Sequence, residues 1–210
     1  MTAGENAAIP DLDQLFSDLA HPNPFIQARA FEAMAKSWKV EAIPRLVALL
    51  DQPDMGLRRA AVRALGHFGA EAMQPIADCF QAHADSTVRA SCVKAYAYMV
   101  SDHPGLHFSE AAMGMLRSAG ADPHPNVAVV AVMAMGQVGR QAVPLLMEIL
   151  AGDNPAQGVA AVNALAAIDD PSVESKLQDL NDHPSTDRYV RETVASALIR
   201  VKDLKARQPA

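Results

Sequence analysis

The sequence predicts an all-α solenoid of about five to six antiparallel helix pairs, and three observations lead there. Segments of one texture recur along the chain, each carries apolar side chains at helical spacing, and nearly all open on a residue suited to cap a helix.

The recurrences are FIQARAFEAM from Phe25, MGLRRAAVRALGHFG from Met55, TVRASCVKAY from Thr87, NVAVVAVMAM from Asn126, AQGVAAVNAL from Ala156 and YVRETVASAL from Tyr189. Anchored on Ala33, Ala64, Ala95, Ala134, Ala164 and Ala197, they are spaced by 31, 31, 39, 30 and 33 residues, room for two short helices and two turns. Leu57, Ala61, Val62, Ala64 and Leu65 form one stripe of a 3.6-period helix. Small residues recur on that stripe at Ala30, Ala61, Cys92, Ala131 and Ala161, as close helix approach requires.

Ten residues before each anchor stand Asn23, Asp54, Asp85, His124, Asn154 and Asp187. Five of these six offer a side-chain oxygen to exposed N–H groups, and Pro24, Pro125 and Pro155 follow at the first helical position, where a missing N–H costs little. In three copies an arginine follows (Arg58, Arg89, Arg191), expected to reach its own capping Asp or that of the neighbouring repeat. The intervening segments EAIPRLVALL, AEAMQPIADCF, SEAAMGMLRSA, RQAVPLLMEIL and PSVESKLQDL supply the second helices, with Pro44, Pro75, Pro144 and Pro171 near their starts. LDQLFSDLA, from Leu12 to Ala20, reads as the second helix of an incomplete first unit. The division expected is a flexible tail over 1–10, one repeat domain over 11–202 and a C-terminal tail over 203–210.

Half the residues are apolar and only 5% aromatic, so Ala, Val, Leu and Met must build the interior. A formal charge of −6 and no Lys/Arg run longer than two argue against a nucleic-acid partner. The uncharged run Pro123 to Gly139 is too short to span a bilayer, and MTAGENAAIP lacks the basic start and apolar centre of a secretory signal. Two cysteines without a pairing pattern fit free thiols in a reducing compartment, so a cytoplasmic location is expected.

No nucleophile elbow, phosphate-binding glycine loop or paired metal motif is present in the sequence, which disfavours a self-contained enzyme, and no residue is assigned a catalytic role. Three constellations remain. Cys79 and His83, four apart on a second helix, could meet Cys92 on the next helix and hold a soft metal, an iron–sulfur partner or a thiol-reactive ligand. Cys92 equally fits the buried small-residue slot. In the insertion SDHPGLHF, from Ser101 to Phe108, Pro104 and Gly105 prevent His103 and His107 from sharing a helix face, leaving a loop that is a candidate for partner contacts. The segment NVAVVAVMAMGQVG is apolar where other copies are basic, so Val129 and Met133 are either covered by that loop or form a docking surface. Tyr96 reads as core, while Tyr98 and Trp38 are placed to line a groove or pack at its rim. His21, His124 and His183 read as turn and capping residues, and Arg58, Arg59 and Arg63 as decoration of an outer face.

The pattern resembles the HEAT repeat from about Leu12 to Lys202. STD followed by YVRETVASALIRV, STVRASCVKAYA, and RRAAVRALGHFG followed by AMQPI further resemble the HEAT subgroup related to E- and F-type phycobilin lyase subunits of cyanobacteria. That resemblance implies a cradle that assists bilin attachment or handling on phycobiliproteins during phycobilisome biogenesis, with a phycobilin as ligand and a phycobiliprotein or a second lyase-like subunit as partner. Cys79, His83, Cys92 and Tyr98 are the candidates for the ligand; Val129, Met133, His103 and His107 are those for the partner. Relatives of the subgroup are also linked to iron–sulfur carrier proteins, which implies an alternative use for the cysteines. A generic interaction module without cofactor is the remaining reading.

Overall fold

A computed structural model describes residues 10–207, with side chains described to Lys202. The expected tails at 1–10 and 203–210 fall largely outside the described residues; within them, the last helix continues through Arg207. The described residues are helices and turns without a strand, the all-α repeat architecture that the spacing predicts.

First helices are α2 (Pro24–Ser37), α4 (Met55–His67), α6 (Ser86–Asp102), α8 (Pro125–Val138), α10 (Pro155–Ala166) and α12 (Arg188–Arg207). Second helices are α1 (Leu12–Leu19), α3 (Lys39–Ala48), α5 (Ala70–Ala82), α7 (Glu110–Gly120), α9 (Val143–Leu150) and α11 (Pro171–Asp182). They gather into two compact units, Met1–Leu106 and His107–Ala210, whose boundary falls inside the insertion that lengthens the third interval. In the first unit α2 packs on α4 and α4 on α6, while α3 packs on α5. In the second, α8 packs on α10 and α10 on α12, with α7 against α8 and α11 against α12.

Local chemistry sets the helix starts. Asn23, Asp54, Asp85 and Asn154 accept N–H groups of the first turns of α2, α4, α6 and α10, and Asp187 accepts Tyr189 N and Val190 N at the start of α12. His124 caps α8 with its backbone alone, since an imidazole does not supply the short oxygen arm of Asn or Asp. The arginines expected at the capping Asp residues bond mainly elsewhere. Arg58 donates to Gln52 O at 2.7 Å, Arg89 to the carbonyls of His83 and Ala84, and Arg191 to those of His183, Pro184 and Thr186. A guanidinium carries several donors in one plane, and the carbonyls left free in the preceding turn satisfy several at once. Arg58 also lies close enough to Asp85 of the next repeat to help hold that carboxyl below its usual range, after the larger effect of the hydrogen bonds from Thr87.

The core is the interface between helices. Ala30, Ala61, Cys92, Ala131 and Ala161 are all buried, so the small-residue stripe lies where backbones meet. Gly66 marks the tightest approach: a Cβ there would stand 2.5 Å from Tyr98 Cβ and 3.2 Å from Met99 N, so only glycine lets α6 lie this close to α4. The run Pro125–Leu150 is, at 26 residues, long and apolar enough to cross a membrane by length and composition, but it is folded as α8 and α9, separated by the 3-10 turn Gly139–Ala142.

Candidate functional site

Cys79, near the end of α5, and Cys92, in the middle of α6, meet inside the first unit. Both are buried and both are free thiols. They share a hydrogen bond, which raises the pKa of Cys92 together with its burial and lowers that of Cys79 against the opposing effect of burial. Burial therefore holds Cys92 as a neutral thiol. His83 ends α5: its N–H bonds the Cys79 carbonyl at 3.2 Å, and its own carbonyl accepts from Arg89. Among the described residues, no group of three or more His, Cys, Asp or Glu side chains is placed to hold a metal ion.

Beside the cysteines, Tyr96 is buried and donates its hydroxyl to Met73 O at 2.7 Å, which ties α6 to α5. Tyr98 points the other way. It is 41% exposed and lines a surface groove of about 490 Å³ between α4 and α6, together with Arg58, Arg59, Arg63 and Lys94. Trp38, half-buried between α2 and α3, donates Nε1–H to Pro10 O at 3.0 Å. His21 and His183 take the turn roles expected, their Nδ1 atoms meeting Asn23 N–H and the Ser185 hydroxyl.

The two insertion histidines have different surroundings. His103 Nε2 lies 2.9 Å from the His67 carbonyl, and its ring rests over Gly69, whose φ of 60° and missing side chain make the space. His67 Nδ1 in turn meets Asp102 Oδ2 at 3.0 Å, so the C-terminal ends of α4 and α6 are latched together. His107 is exposed. Phe108 is buried, its backbone N–H and carbonyl both engaged by the Gln141 amide.

On α8, Val129 is 45% and Met133 63% exposed. Pairing of first helices sets α8 beside α10, and neither Pro125–Val138 nor Pro155–Ala166 contains an Asp, Glu, Lys or Arg. The outcome is an exposed apolar pair on α8 of the second unit, in contrast to the basic groove on the first; on α10 the exposed Asn163 accepts from Arg200 at 2.7 Å.

The sequence did not disclose that groove. Three arginines on one helix were visible, but Lys94 and Tyr98 join them only through the register of α6 on α4, where Met55, Arg59 and Arg63 follow at four-residue steps on one helix and Lys94 and Tyr98 on the other.

Comparison with known proteins agrees with this repeat architecture. The HEAT-repeat family profile matches residues 12–97 and 115–199. "Uncharacterized phycocyanin operon protein Z" of Pseudanabaena tenuis (strain PCC 7409) is 38% identical over 192 residues, 91% of this chain and 95% of that protein. "Bilin biosynthesis protein CpeZ" of Synechococcus sp. (strain WH8020) is 32% identical over 178 residues, 82% of this chain and 96% of that protein. The chain belongs to the HEAT-repeat family, within its phycobilin lyase-like group. Among solved structures, a computationally designed armadillo repeat protein for modular peptide recognition covers 90% of this chain and 99% of its own at 20% identity and a TM-score of 0.48. Another designed armadillo repeat protein covers 91% and 100% at 19% identity and a TM-score of 0.47.

Proposed function

We propose that this protein is a cytoplasmic scaffold that assists bilin attachment or handling on phycobiliproteins, docking a phycobiliprotein or a second lyase-like subunit on the exposed face of α8. The single observation that carries the docking is the exposure of Val129 and Met133 on a charge-free helix beside a second charge-free helix. Two neighbouring apolar side chains one turn apart on one helix face are costly to leave in water and gain by being covered. The bilin half of the reading draws on kinship with CpeZ and the phycocyanin operon protein. His103 serves this role by holding α4 and α6 together, while exposed His107 is available for partner contact. Thioether formation between a bilin and an acceptor cysteine depends on aligning two reacting groups, which a helical scaffold supplies without a catalytic triad of its own.

The test is co-purification with an apo-phycobiliprotein, together with the yield of attached phycocyanobilin in the presence and absence of a lyase subunit. The expected outcome is capture of the apo-subunit and a raised yield, both lost in Val129→Lys/Met133→Lys with far-UV circular dichroism unchanged. Equal capture and yield with the double variant would remove the α8 face. No capture and no change in yield with the wild-type protein would remove the whole reading.

A further inference from the structure

The α4–α6 groove sets four cations in a chain whose net charge is −6. Two are committed: Arg58 to the Gln52 carbonyl and the neighbourhood of Asp85, Arg63 to the Gln27 side chain while lying 5.6 Å over the Phe31 ring. The other two, Arg59 on α4 and Lys94 on α6, are exposed, and among the described residues neither has an ion-pair or hydrogen-bond partner. They face the groove from opposite walls. One turn before Arg59 lies Met55, 53% exposed; one turn after Lys94 lies Tyr98. The groove is thus cationic in the middle and apolar or aromatic at its ends.

We infer that this groove binds an amphipathic dicarboxylate, with one carboxylate on Arg59 and one on Lys94 and a flat apolar body resting on Tyr98 and Met55; an open-chain tetrapyrrole with its two propionates has this chemistry. The choice of a tetrapyrrole rests on the bilin-handling function proposed above. Each part of the groove contributes. A guanidinium takes a carboxylate through two parallel hydrogen bonds, and an ammonium takes one as a point charge. A tyrosine face adds stacking area at little entropic cost. A volume of about 490 Å³ lies within the range of small-molecule sites. An acidic peptide would need a longer row of free cations than the two present. Gly66 holds the geometry by letting the Tyr98 backbone close against α4, which fixes the ring at the groove's end.

Biliverdin is the probe, titrated against the full-length protein and followed by visible absorbance and by induced circular dichroism of the bilin. The groove predicts saturable binding that weakens about tenfold or more in Arg59→Gln/Lys94→Gln, with far-UV circular dichroism unchanged, and no loss in the charge-matched control Arg188→Gln/Lys202→Gln. Biliverdin dimethyl ester, which keeps the body and removes both charges, is expected to bind as poorly as the groove variant does. Undiminished binding by Arg59→Gln/Lys94→Gln, or ester binding equal to that of the diacid, overturns the site. Failure of biliverdin with binding of hexaglutamate, lost in the same variant, overturns the tetrapyrrole assignment in favour of an acidic segment. Binding of neither overturns the inference entirely. Capture of the apo-phycobiliprotein is scored separately with the α8 variant, so loss of the groove leaves the docking function standing, and loss of docking leaves the groove standing.

Discussion

Cys92 shows how far a single residue can be read. Its alignment with Ala30, Ala61, Ala131 and Ala161 placed it at a buried small-residue position, and it lies there fully buried. Its hydrogen bond with Cys79 was less accessible, because it depends on the depth of α5 against α6. Gly66 carried no sequence signal either, since glycine inside a helix has many causes, and only the 2.5 Å gap to Tyr98 Cβ explains it. Gly66→Ala sets two effects against each other. Helix propensity favours alanine by about 1 kcal/mol, while overpacking costs about 1–3 kcal/mol. Because the obstructing atoms include the backbone of α6, which cannot swing aside as a long side chain can, the loss is expected to win. Thermal unfolding of the variant should show a lower midpoint than the wild type; an equal or higher midpoint would mean that α6 gives way freely.

Among the elements, helix starts were legible and helix partnerships were not. Asn23, Asp54, Asp85, Asn154 and Asp187 all cap through side chains because the signal is local: an oxygen within three residues of the N–H groups it satisfies. The exception, His124, yields a prediction. It already holds the extended backbone of a cap, with φ −88° and ψ 116°, yet offers no side-chain acceptor to the α8 N–H groups. His124→Asn should therefore stabilise the protein by about 0.5–1 kcal/mol, seen as a raised midpoint in urea without a change in slope. An unchanged midpoint would mean that water serves those N–H groups equally well. Partnerships needed coordinates because register is set by packing between residues some thirty positions apart. Lys94 and Arg59 lining one groove from two helices, and the latch from His103 to the His67 carbonyl, are of that kind.

For the molecule as a whole, repeat count and helix order followed from the spacing of the anchors, whereas the division near Leu106 did not, since the insertion there read as a loop for partner contacts and carried no mark of a boundary. Acid stability is also a property of this scale. Glu71 is lowered chiefly by its hydrogen bond from Lys39, Glu148 by its paired bonds from Arg117, Asp85 by Thr87 and Asp170 by Ser172. A carboxyl whose folded pKa lies below its unfolded value binds protons more readily when unfolded, so its contribution is complete above the unfolded value and disappears as pH falls through the folded one. Stability is thus expected to be flat on this account above about pH 5 and to decline below about pH 4, checked by urea midpoints across that range; a midpoint unchanged at pH 3 would exclude these groups as contributors. The absence of ionisable residues from α8 and α10 bears on handling the complex at the bench. A partner seated on the uncharged pair Val129 and Met133 should survive an ammonium sulfate wash, while a ligand clasped by Arg59 and Lys94 should elute as soon as ionic strength rises.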